Sequence, residues 1–174
     1  MLRVGTVGTS SIMRTIQEAI RLTDGMECRV VYSRTEEQGR AFAAEMGVPE
    51  HCTDYAAMLE RSDLDLIDIA SPNRFHVEQA LAALEHGKHV IVEKPAAVTR
   101  GDVQRLIDAA RANGVYFFEA ITTLFMPQYE ACRLLLPKLG RIEQAHITYA
   151  QYSSRYDAYL RGENPNIFNP AMQA

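Results

Sequence analysis

The residues best suited to chemistry sit where apolar runs give way to turns. Gly5-Thr6-Val7-Gly8-Thr9-Ser10-Ser11-Ile12-Met13 takes a strand-like run into a helix-like one. Set against the G-x-G-x-x-G fingerprint, Gly8 takes the first glycine position, Ser10 the second and Met13 the third, so two of the three glycines are absent. A helix start here still presents main-chain N–H groups from Gly8, Thr9, Ser10, Ser11 and Ile12 to a pyrophosphate, and the Ser10 hydroxyl can assist. A plain strand-to-helix turn is the competing reading. Ser33-Arg34 closes the next apolar run, where an NAD-preferring fold usually carries Asp or Glu for the ribose hydroxyls. A guanidinium there can hold a 2′-phosphate bidentately and stack on adenine. An Arg34 paired in solvent with Glu36 or Glu37 is the alternative. Glu93-Lys94-Pro95 ends a later run. Lys94 can donate a hydrogen bond or a proton to a carbonyl oxygen, or it can be half of a surface ion pair.

Those turns need a scaffold, and the pattern between them supplies one. Leu2 to Val7 reads as a buried strand, followed by Ile12, Ile16, Ala19 and Ile20 at helical spacing up to Asp24-Gly25. Cys28 to Tyr32 reads as a strand, Glu36 to Met46 as a helix ended by Gly47, and His51-Cys52 as a short strand. Asp54 caps a helix over Tyr55 to Arg61, and Leu64 to Ala70 is a strand closed by Ser71-Pro72-Asn73. A helix with Val77, Ala80, Leu81 and Leu84 on one face leads to the strand His89 to Val92. Thr99 caps a helix that buries Val103, Leu106, Ile107 and Ala110, and Val115 to Phe118 is the last strand of the series. This alternation predicts an α/β fold, a Rossmann-like doubly wound parallel sheet with ligand at the strands' carboxyl ends. Gly8 to Ser11, Ser33-Arg34, Ser71 to Asn73, Glu93 to Pro95 and Glu119 fall there. After Glu119 the pattern changes. Cys132, Leu135, Leu136 and Leu139 suggest a further helix, and Ala145, Ile147 and Tyr149 a strand with one wet face. The expected division is residues 1–120 as the dinucleotide-binding domain and 121–174 as only the beginning of a second α+β domain.

Composition narrows the function classes. The chain is 47% hydrophobic and 23% charged with net charge −4, which suits a packed core and argues against disorder and general nucleic-acid binding. Three dispersed cysteines without a CxxC predict neither a disulfide framework nor a zinc site, and fit a reducing cytoplasmic compartment. No metal site is expected, and no apolar run approaches a bilayer span. His86 and His89 read as solvated turn residues. Tyr149, Tyr152, Tyr156 and Tyr159 read as cover for apolar surface.

In order, Gly5-Thr6-Val7-Gly8-Thr9, Ser33-Arg34, Ser71-Pro72-Asn73 with His76, and Glu93-Lys94-Pro95 resemble the Gfo/Idh/MocA oxidoreductases. Phe118-Glu119-Ala120 followed by Phe125-Met126-Pro127 is similar to their dihydrodiol-dehydrogenase-like members. The resemblance runs from Leu2 to about Tyr149. It implies that Lys94 is the catalytic lysine, that Glu93 lies near the nicotinamide ribose, and that Asn73 and His76 line the nicotinamide end. It also implies that Ser33-Arg34 forms the 2′-phosphate site, and it includes Ser71 and Glu119 among the cofactor contacts. The cofactor implied is NADP, with NAD possible. The reaction implied is hydride transfer between nicotinamide and a secondary alcohol or carbonyl of a sugar, polyol or diol. The full-length protein is expected to be a homo-oligomer acting on a small molecule, with neither nucleic acid nor membrane as partner. A family motif, Gly-Gly-x-Leu-x-Asp-x-Gly followed by Tyr or His, is expected to begin about where Asn169-Pro170-Ala171-Met172 stand. A non-catalytic nucleotide-binding or sensor module retaining the fold is the alternative.

Overall fold

The computed structural model describes residues 1–153, 155–163 and 169. Strand and helix alternate as β1 (Leu2–Val7), α1 (Ser11–Leu22), β2 (Met26–Tyr32), α2 (Glu36–Met46), β3 (Glu50–Cys52) and α3 (Tyr55–Leu59). They continue as β4 (Leu66–Ile69), α4 (His76–Glu85), β5 (His89–Val92), α5 (Arg100–Ala112) and β6 (Phe117–Glu119). The helix starts have chemical causes. Ser10 Oγ accepts from Met13 N–H at 3.4 Å, Asp54 Oδ1 from Ala57 N–H at 3.0 Å, and Thr99 Oγ1 from Asp102 N–H at 3.1 Å. Each such cap contributes about 1 kcal/mol.

The six strands form one sheet in the order β3-β2-β1-β4-β5-β6, every neighbouring pair parallel. All carboxyl ends therefore meet one edge, with Gly8 and Lys94 on that same edge. On one face Val7, Val30, Ile67, Ile69, Val90 and Val92 pack with Met58, Leu81, Leu84 and Leu106 from α3, α4 and α5. On the other, Val31 packs with Met13 and Phe42, and Val4 and Leu66 with Ile20, from α1 and α2. The sheet is thus doubly wound, a Rossmann fold. Met13, in place of the third fingerprint glycine, is fully buried and fills the gap beneath α1.

Strand boundaries differ from the sequence expectation at several places: β2 begins at Met26 rather than Cys28 and β3 at Glu50 rather than His51. β4 has four residues, because Leu64 is buried as packing ahead of the ladder. β6 starts at Phe117 rather than Val115.

Residues Met1–Ala120 form one compact unit, and the chain from Ile121 forms another. The second contains a 3-10 turn at Thr122–Phe125, α6 (Pro127–Leu135), a 3-10 turn at Leu136–Leu139 and α7 (Tyr156–Leu160). Pro137 lacks an N–H, so α6 passes into a 3-10 turn instead of running on to Leu139. The strand expected over Ala145 to Tyr149 is not formed. That segment is irregular and Ile147 is 92% exposed, since an extended run without a neighbouring strand has no ladder to join. The motif position at 170–172 lies outside the described residues.

Candidate cofactor site

A cavity of about 280 Å³ opens at the carboxyl ends of β1, β2 and β4. The first turn contributes Val7, Gly8, Thr9 and Ser10, β2 and its loop Tyr32, Ser33 and Arg34, and α2 contributes Gln38. The β4–α4 connection supplies Ala70, Ser71, Pro72, Phe75 and Gln79. Gly8 has φ +113°, and a Cβ there would stand 2.8 Å from the Ala70 carbonyl oxygen, so only glycine lets β1 turn this close to β4. Ser11 and Ile12 do not line the cavity with their side chains. They open α1, and among the described residues their N–H groups have no acceptor in the chain. The Ser10 hydroxyl is the α1 cap, leaving its hydrogen to donate.

Arg34 makes no ion pair or hydrogen bond among the described residues. The pairing with Glu36 considered from sequence is not made, because Glu36 Oε1 accepts instead from His51 Nε2 at 2.6 Å. The cavity wall therefore carries a guanidinium with its donors open.

The β4–α4 side is tightly bonded. Ser71 Oγ donates to Gln79 Oε1 at 2.6 Å, and Tyr55 Oη donates to the Gln79 carbonyl at 2.8 Å. The Tyr55 ring lies 5.3 Å from that of Tyr32, and burial pushes its phenol well above the usual range. The Arg74 guanidinium lies 4.9 Å from the centre of the Phe75 ring. Tyr32, Gln38, Phe75 and Gln79 had no motif to announce them. Phe75 and Gln79 lie near the start of α4, and only the strand-end rule extended by one helical turn would have reached them.

Glu93, Lys94 and Glu119 stand outside that cavity, at the ends of β5 and β6. The Lys94-Pro95 peptide bond is cis. Lys94 is exposed, and its ammonium makes no ion pair among the described residues, so the surface-pair reading with Glu93 is not realised. Glu93 Oε2 accepts from Lys94 N–H at 3.2 Å.

Two residues expected as cofactor contacts are bonded to the protein's own main chain. Glu119 Oε1 accepts from Ala96 N–H at 2.9 Å and anchors the segment after Lys94. His76 is 1% exposed, its Nδ1 lying 2.8 Å from the Pro95 carbonyl and its Nε2 2.8 Å from the Ser71 carbonyl. It ties the β4 loop to the β5 loop, and a ring so enclosed presents nothing to a ligand. Asn73, expected beside it, opens a single 3-10 turn (Asn73–Phe75) and is not part of the cavity wall.

Asp68 is the titratable group that sequence reading missed. It interrupts the apolar β4 run Leu66-Ile67-Asp68-Ile69, is 6% exposed, and among the described residues its Oδ1 has no hydrogen-bond partner. Burial, with the charge of Glu93, pushes its carboxyl up to about 7. Thr6, its register partner on β1, accepts from Gln17 Nε2 at 2.9 Å, and Gln17 also reaches Cys28 Sγ at 3.2 Å. Burial likewise raises the Cys28 thiol, so it is a packed polar group and not a nucleophile. Among the described residues, no cluster of His, Cys, Asp and Glu is arranged to hold a metal ion, and no helix is long and apolar enough to cross a membrane.

Comparison with known proteins gives a consistent picture. The family model for the Gfo/Idh/MocA proteins, described as an oxidoreductase family with an NAD-binding Rossmann fold, matches residues 2–121. The uncharacterized oxidoreductase YgjR of Escherichia coli (strain K12) is 42% identical over 99% of this chain and 52% of its own length. The scyllo-inositol 2-dehydrogenase (NADP(+)) IolU of Bacillus subtilis (strain 168) is 37% identical over the same shares, 99% and 52%. The chain thus spans about half the length of these curated relatives. Among solved structures, KijD10, a 3-ketoreductase from Actinomadura kijaniata in complex with NADP and TDP-benzene, superposes with a TM-score of 0.74. It is 30% identical, covering 79% of this chain and 42% of that one.

Proposed function

The chain belongs to the Gfo/Idh/MocA oxidoreductase family, and on that premise we propose that it is the cofactor-binding part of an NADP-dependent dehydrogenase or reductase. The observation that carries the reading is Arg34, a guanidinium without an ion pair on the wall of a cavity at the strand ends. The residues present fit a 2′-phosphorylated dinucleotide. Gly8 lets the backbone approach, the open N–H groups of Ser11 and Ile12 suit a pyrophosphate, and Ser33 with Arg34 suits the 2′-phosphate. A cavity of about 280 Å³ is slightly smaller than typical ligand pockets and suits the adenosine half of such a molecule. NAD is the weaker ligand in this reading, since among the described residues no carboxylate lines the cavity for the ribose hydroxyls.

When bound, the nicotinamide supplies the hydride acceptor or donor. The chain's own residues orient and polarise. Lys94 is the catalytic residue, donating a hydrogen bond or proton to the substrate's carbonyl oxygen. Glu93 would contact the nicotinamide ribose, and His76 and Glu119 hold the Lys94 loop in place. The substrate class is a secondary alcohol or carbonyl of a sugar, polyol or diol, as the name of the inositol dehydrogenase relative suggests. The chain from Ile121 begins the substrate and dimerisation domain, and the reducing cytoplasm is the compartment of action.

Lys94→Met tests the division of labour. In the full-length protein, assayed by nicotinamide absorbance against inositols, sugars and diols, it should lose at least about a hundredfold in kcat, within the range ascribed to acid–base groups. NADP affinity should stay within about twofold of the parent, because no contact to the phosphates is removed. Undiminished turnover by the variant would remove Lys94 from the mechanism.

A further inference from the structure

In Rossmann folds, an acidic side chain just past β2 serves the ribose hydroxyls and repels a 2′-phosphate. This chain also has acids nearby, Glu36 and Glu37, both in the first turn of α2 and two and three positions after Arg34. Arg34 nevertheless has neither as a partner. The cause lies in β3. His51 Nε2 donates to Glu36 Oε1 at 2.6 Å, the imidazole being 24% exposed and the carboxylate side chain 67%.

The ring is built into the turn that carries Arg34. A Cβ on Gly39 would come within 3.2 Å of Ser33 Cβ and 3.4 Å of His51 Cδ2, so the absence of a side chain there lets all three pack. Ser33 N–H donates to the Cys52 carbonyl at 3.0 Å, which locks the turn to the strand bearing His51. His51 itself does not line the cavity. It is placed to decide where the Glu36 carboxylate goes.

We infer that His51 is a specificity-determining residue of the cofactor site, holding the Glu36 carboxylate away from Arg34 so that Arg34 stays open to a 2′-phosphate. This rests on the NADP reading above and names the device that enforces it. Without His51, Glu36 is free to engage Arg34 or to stand against the phosphate. Either outcome weakens NADP⁺, whereas NAD⁺, which has no 2′-phosphate, is not weakened and gains where the freed carboxylate reaches the ribose hydroxyls.

The test is calorimetric titration of NADP⁺ and NAD⁺ against the 174-residue chain and its variants. His51→Ala should raise the NADP⁺ Kd roughly fivefold, the upper end for one exposed ion pair, with the NAD⁺ Kd unchanged or lowered. Adding Glu36→Gln to His51→Ala should restore NADP⁺ affinity, because the competing charge is gone. His51→Gln, whose amide can still donate to Glu36, should keep most of the preference. A purely structural His51 would weaken both dinucleotides alike and show no rescue by Glu36→Gln, and that result overturns the inference. Unchanged NADP⁺ affinity in His51→Ala also overturns it. If the parent chain fails to bind NADP⁺, the underlying cofactor reading falls with it, a failure visible before any variant is made.

Discussion

Arg34 and Asp68 are opposite cases of one rule, that a charged group's worth depends on what surrounds it. Arg34 lines a cavity wall with no ion pair among the described residues, where a charge-assisted contact to a phosphate would contribute about 1.5–3 kcal/mol. Arg34→Ala should therefore weaken NADP⁺ on the order of tenfold to a hundredfold and leave NAD⁺ almost unchanged, read by titration of both. Asp68 is enclosed, and its carboxyl is pushed from an ordinary 3.8 up to about 7. The folded chain thus keeps a proton that the unfolded chain releases, and stability declines as pH rises from about 4 to about 7. Asp68→Asn removes that dependence. Denaturant melts should find the variant more stable than the parent at pH 8, by at most about 4 kcal/mol, with the gap closing toward pH 4. A parent whose stability relative to the variant does not change with pH would contradict this. Arg34 was legible in the sequence because a strand end is a marked place. Asp68 was not, because one carboxylate in an apolar run carries no sign of whether it meets a partner, and here Oδ1 meets none.

At the scale of elements, the turn between β1 and α1 keeps the one glycine that its backbone requires. Only Gly8 needs to be glycine, since it alone combines φ +113° with a backbone carbonyl 2.8 Å from a would-be Cβ. Gly25, with φ +83° and nothing within 4 Å of its would-be Cβ, is the natural control. Gly25→Ala should cost only the conformational penalty of about 1–2 kcal/mol. Gly8→Ala must also push β1 from β4, so its melting temperature should fall further, and dinucleotide binding should be lost with it. Equal losses in the two variants would mean that close approach at Gly8 is unimportant. The sheet was readable because parallel strands buried on both faces are continuous apolar runs, as Leu66, Ile67 and Ile69 are. The expected strand at Ala145 to Tyr149 failed for the complementary reason. Its alternation specifies one buried face, yet a strand exists only by pairing, and the described residues give it no neighbour. His76 and Glu119 were found by motif, but their bonds to the main chain of Pro95, Ser71 and Ala96 were not foreseen. Spacing brings a side chain to a strand end but does not say whether it faces the ligand or the next loop.

For the molecule as a whole, the strand order β3-β2-β1-β4-β5-β6 brings four separated sequence stretches to one edge of a single sheet. Gly8, Arg34 and Ser71 share a cavity there, and Lys94 follows the neighbouring strand. On the proposed function, this cavity takes the phosphorylated adenosine end of NADP. Calorimetric titration of the chain with NADP⁺ and with NAD⁺, under identical low-salt conditions, tests it most directly. One site for NADP⁺ and a Kd for NAD⁺ at least about tenfold weaker are expected. Equal affinities, or a preference for NAD⁺, would contradict it.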